Sequence, residues 1–85
     1  MAENATEDEL NERITFGGLL LKKGEARRAS LEEQVVWLVK LMGSEEEARR
    51  LRPSLFDQLD AENRGIAIIS EKLTELQEQL ARLKR

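Results

Sequence analysis

Two clusters of cations are the residues best suited to chemistry. Lys22, Lys23, Arg27 and Arg28 follow one another closely, and Arg49, Arg50 and Arg52 do so again. Clustered ammonium and guanidinium groups bind phosphates, and a dimer would offer two such clusters to one duplex. Two features oppose that use. Glu45 precedes Arg49 by four residues and Glu46 precedes Arg50 by four, the favourable orientation for ion pairs on one helix. The chain also carries a formal net charge of −3, whereas nucleic-acid binders present a basic surface. Lys22 to Arg28 follows Phe16 and Leu19-Leu20-Leu21. This combination suits phosphates or an anionic membrane surface, and equally a solvated turn.

Other reactive combinations are missing. There is no cysteine, histidine or tyrosine, so disulfides, thiolate metal sites and imidazole acid–base catalysis are excluded. Asp57, Asp60 and Glu62 are close in sequence but lack the loop of oxygen ligands that a divalent cation needs. Ser30, Ser44 and Ser54 stand at helix-start positions, where capping accounts for them. Gly17-Gly18 to Gly24 lacks the Gly-Lys-Ser/Thr ending of a phosphate loop. The expectation is a non-enzyme with no metal and no cofactor.

The elements that hold these residues read as helices. Charged residues make up 36% of the chain and aromatics 4%, a composition rich in helix formers and poor in strand formers. Thr6 with Glu9, Ser30 with Glu33 and Ser44 with Glu47 have capping-box spacing. They predict helix starts near residues 7, 31 and 45. Gly17-Gly18 predicts the end of the first helix, since each glycine costs about 1 kcal/mol relative to alanine. Gly43 is a natural C-cap for a helix over 31–42. Leu31, Val35, Leu38 and Met42 form one stripe on that helix, and Val36, Trp37, Val39 and Leu41 widen it, so it reads as buried on several sides. Trp37 is expected in the core; an exposed Trp37 would instead point to a partner groove. Pro53 separates the helix over 45–51 from a last helix that Ser54 would cap.

That last helix carries the strongest pattern in the chain. Leu59, Ile66, Leu73 and Leu80 recur every seven residues, and Leu55, Ile69, Leu76 and Leu83 fill the complementary spacing. Such a stripe must bury against another helix. Glu62 interrupts it. The flanking positions Gln58, Gly65, Lys72, Gln79, Asn63, Ser70, Gln77 and Lys84 hold two lysines and no acid, so flanking charge does not fix the orientation of pairing.

The fold class is therefore all-α, with short N-terminal helices packing on a long heptad helix in an oligomeric bundle or coiled coil. Residues 1–12 form an acidic arm, partly disordered over 1–5. Residues 13–53 hold short helical segments with the basic stretch 22–28, and residues 54–85 form the oligomerisation helix. A domain of 85 residues is marginal alone, and without disulfides or metals oligomerisation is the remaining stabiliser. Leu59, Ile66, Ile69, Leu73, Leu76, Leu80 and Leu83 are the assembly residues. The expected role is a small interaction or adaptor module that self-associates, as a dimer first and a tetramer second, and holds another protein. The alternative is a dimeric nucleic-acid-binding regulator using Arg49, Arg50 and Arg52 or the stretch Lys22 to Arg28. No apolar run spans a membrane, and the acidic N-terminus does not read as a targeting peptide. The expectation is a cytoplasmic protein.

Overall fold

The computed structural model describes residues 6–84 and contains three helices: α1 (Glu7–Met42), α2 (Glu45–Leu51) and α3 (Pro53–Leu83). Among the described residues there is no strand, in line with the all-α expectation. The expectation of disorder over residues 1–5 lies outside the described residues.

The N-terminal half differs from the expected short segments. α1 is one continuous helix of 36 residues, roughly 54 Å at 1.5 Å per residue. Gly17 and Gly18 lie inside it, as does Ser30, which therefore caps nothing. The reason is a second heptad. Leu10, Ile14, Gly17, Leu21, Gly24, Arg28, Leu31, Val35, Leu38 and Met42 follow one another at alternating spacings of four and three, and all are buried or half-buried. The burial of this stripe outweighs the local cost of the glycines, because helical stability in proteins comes mainly from a packed face.

α1 and α3 run antiparallel as a hairpin. Gly17 lies against Leu73, Gly24 against Ile66, and Arg27 against Glu62. Glu7 and Lys84 meet at 4.0 Å where the two helices end. The hairpin measures 56 × 21 × 16 Å. The stripe of α3 predicted for assembly thus packs within the chain except at its end: Ile66 and Leu76 are buried, Leu59, Ile69, Leu73 and Leu80 are half-buried along the seam, and Leu83 is exposed.

The caps explain where the helices begin and end. Thr6 and Glu9 form the expected capping box. The Glu9 amide donates to Thr6 Oγ1 at 3.1 Å, and the Thr6 amide donates to Glu9 Oε1 at 2.8 Å. The Thr6 amide first, and the Thr6 side chain second, favour the charged carboxylate and hold the Glu9 carboxyl below its usual range. Gly43 ends α1 with φ 90°, its N–H donating to Val39 O at 2.8 Å, a conformation that glycine adopts without a Cβ penalty. Ser44 Oγ accepts from the Glu47 amide. Ser54 is not the cap of α3: the helix begins one residue earlier, with Pro53 in its first turn. Proline suits that place because its missing N–H would have no partner there.

α2 closes the turn of the hairpin. Its Ala48 packs with Leu55 and Phe56, and Leu31, Val35, Leu38, Val39 and Met42 surround them. Arg49 lies over the Phe56 ring at 4.5 Å. Elsewhere the core is one residue deep, with Leu10, Ile66 and Leu76 the other buried apolar side chains among the described residues.

Candidate interaction face

A two-helix layer buries only what lies between its helices, so the side chains beside the seam decide what the hairpin meets next. Three open grooves follow one side of this seam. Near the free ends, Phe16 and Leu20 of α1 and Ile68, Ile69 and Leu73 of α3 line an apolar groove rimmed by Arg13 and Lys72. In the middle, Arg27, Ser30, Leu31, Gln58, Ala61 and Glu62 line one of mixed character. Near the turn, Gln34, Trp37, Leu38 and Leu41 form a third with Arg52 and Leu55.

These grooves share a face because their α1 residues are in register. Arg13, Phe16, Leu20, Arg27, Ser30, Gln34, Trp37 and Leu41 recur at spacings of three, four or seven, which keeps them on one edge of the helix. The opposite edge carries Asn11, Thr15, Gly18, Lys22, Glu25, Ala29 and Glu32, small and polar residues before Val36. The large exposed apolar side chains are therefore unevenly distributed. Phe16, Leu20, Trp37, Leu41 and Ile68 lie on the grooved side, with exposures of 58%, 53%, 64%, 77% and 69%, while Leu19, Val36, Leu51 and Leu83 are exposed outside these three grooves. Single exposed apolar residues are ordinary, whereas an aligned set marks an interaction surface.

Trp37 is the main departure from the sequence expectation. It was expected in a core, yet it stands exposed, with Lys40 Nζ 5.4 Å from its ring centroid. Val36 and Leu41 are exposed with it, so the 31–42 segment is not buried on several sides. Its stripe Leu31, Val35, Leu38 and Met42 does face inward. The surplus apolar residues face solvent because α2 and α3 together cover only the inward side of this segment.

The cationic clusters separate. Lys22 projects on the polar edge of α1, Lys23 and Arg27 on the grooved edge, and Arg28 enters the seam half-buried. Arg27 Nε is 3.0 Å from Glu62 Oε2, so the acid that interrupts the α3 heptad is paired across the hairpin. In α2, Arg49 bonds Glu45, and Arg50 bonds Glu46 and Glu47. Arg52 instead lines the groove that also holds Trp37 and Leu41. The two clusters do not form one basic surface. Asp57 and Asp60 face outward, and among the described residues no three His, Cys, Asp or Glu side chains gather as metal ligands. No described helix is long and apolar enough to cross a membrane.

The face was legible in part. Phe16 and Leu20 precede the basic stretch and Trp37 stood out, but their common edge required the register of an unbroken α1. No family model, curated protein or solved structure matches the chain.

Proposed function

We propose that this protein is a small non-enzymatic interaction module: an antiparallel helical hairpin that self-associates and thereby presents its remaining surface twice. The observation that carries the reading is the alignment of Phe16, Leu20, Ile68, Trp37 and Leu41 on one side of the seam. Burying a large apolar side chain fully contributes about 1.5–3 kcal/mol. A one-residue-deep core leaves that contribution unused until another layer covers the face. The sequence stripe of α3 provides the hairpin seam, and the edge beside it provides the contact between copies.

Regulation through nucleic acid has less support. Arg49 and Arg50 are occupied by Glu45, Glu46 and Glu47, and Lys22 to Arg28 point in several directions. Light scattering across a concentration series tests the self-association. The reading expects a mass of twice the 9.8 kDa chain or more. A 9.8 kDa particle at every concentration would remove it.

A further inference from the structure

The apolar residues on the grooved edge of α1 are arranged as a palindrome. Phe16 and Leu41 lie equally far from the point between Arg28 and Ala29, and so do Leu20 and Trp37. Between these pairs the edge is polar, with Lys23, Arg27, Ser30 and Gln34. The two apolar clusters are about 30 Å apart at 1.5 Å per residue. A helix with this pattern is complementary to itself run in the opposite direction. Each apolar end then meets an apolar end, and each polar residue meets a polar one.

We infer that two hairpins pack face to face through a two-fold axis crossing their helices, forming a four-helix bundle with the turns at opposite ends. This inference rests on the self-association proposed above and specifies its geometry. α1 lies along α1 of the second copy, antiparallel, with the axis passing near Arg28 and Ala29. Phe16 faces the partner's Leu41, Leu20 faces the partner's Trp37, Lys23 faces the partner's Gln34, and Arg27 faces the partner's Ser30. A two-fold interface is isologous, so one surface must be self-complementary, and a palindrome about the axis satisfies that condition.

The contacts of Gly17 with Leu73 and of Gly24 with Ile66 set Lys72 level with Gly18, Glu75 with Thr15 and Arg52 with Leu38. The two-fold rotation therefore brings Arg52 of the partner subunit to Lys72 and Glu75, which form an ion pair at 3.6 Å.

Size and shape agree with this occupant. A specific interface covers about 800 Å² per partner, and a face of a hairpin 56 Å long and 21 Å wide offers more than that. On α3 the centre of the face is formed by Ala61 and Gly65, small residues at which a second helix can come close, and a Cβ at Gly65 would meet nothing in the single hairpin.

The chain has no cysteine, so thiol cross-linking can read the register directly. The variants are Lys23→Cys, Gln34→Cys and the double variant, all at exposed positions of α1, each treated with a short bismaleimide. The two sites are about 16 Å apart along one helix, so the short linker cannot bridge them within a chain. The inferred geometry predicts a covalent dimer from the double variant and from an equimolar mixture of the single ones. Each single variant alone should remain uncoupled. If the protein is dimeric by light scattering but the double variant does not couple, or the single variants couple as well, this geometry is wrong and the self-association stands. If the mass is 9.8 kDa throughout, both fall, and the face belongs to a different protein.

Discussion

Gly17 lies beneath Leu73: a Cβ added at Gly17 would stand 2.6 Å from Leu73 Cδ2 and 3.0 Å from its Cγ. Seven residues on, a Cβ at Gly24 would stand 3.1 Å from Ile66 Cγ1. The two helices come together where one of them has no side chain and the other fills the space. Gly18 and Gly65 have nothing within 4 Å of an added Cβ, so their neighbourhoods are open.

Alanine substitutions should separate the two classes. Gly18→Ala is expected to stabilise the hairpin by about 0.5–1 kcal/mol through helix propensity alone. Gly24→Ala gains the same propensity but crowds buried, β-branched Ile66, and overpacking costs about 1–3 kcal/mol. Urea denaturation should place Gly18→Ala above the parent chain and Gly24→Ala below it. A stabilised Gly24→Ala would show that the seam is looser than described.

Leu73 tests what the α3 heptad does. In the hairpin it is a seam residue, so Leu73→Asp places a carboxylate between α1 and α3. That should cost on the order of 3 kcal/mol or more and remove helical structure, as followed by circular dichroism. A fully helical Leu73→Asp variant would mean that the stripe serves contacts between chains and not the hairpin.

Glu62 occupies an apolar position of that heptad and is held by Arg27 at 3.0 Å. Arg27 is largely exposed, and exposed pairs are worth about 0–1 kcal/mol. A leucine at this place would exceed that by continuing the seam. Glu62→Leu is therefore expected to raise the urea midpoint, while Glu62→Gln leaves it nearly unchanged. A lower midpoint for Glu62→Leu would show that the ion pair sets the register.

The capping box gives the N-terminus a pH dependence of known sign. Glu9 is held below the ordinary carboxylate value of 4.5 by its hydrogen bonds with Thr6. A carboxyl whose value is lowered on folding contributes its stability above its unfolded value, and that contribution disappears as pH falls through the folded value. Amide exchange at Leu10, whose N–H donates to Thr6 O, should accelerate as pH is lowered below about 4.5, after correction for intrinsic exchange. Thr6→Ala should remove this dependence. If it persists in that variant, it has another origin.

The sequence revealed α3 and hid α1, for a physical reason. α3 places leucine or isoleucine at nearly every seam position, so its period is visible. α1 places Gly17, Gly24 and Arg28 there. Judged locally, the first two break a helix and the third belongs to a basic cluster. Their role depends on Leu73 and Ile66, residues far along the chain, and local propensity does not contain that information. The spacing from Leu10 to Met42 was present all the same, and counting it through the glycines would have revealed the hairpin. The same gap concealed the candidate face. The apolar residues around Trp37 were visible, but an interrupted helix leaves no edge on which Phe16 and Leu41 can align. Thr6, Ser44 and Gly43 were legible because a cap is set by residues within one turn of it.

The double variant Leu20→Glu with Trp37→Glu tests the central claim most directly. Both side chains are exposed in the hairpin, so their replacement should leave the helical signal intact. If the grooved face joins two copies, light scattering should find a folded 9.8 kDa monomer under conditions in which the parent chain is a dimer. A folded variant that keeps the dimeric mass would contradict the account, because the copies would then meet through some other surface.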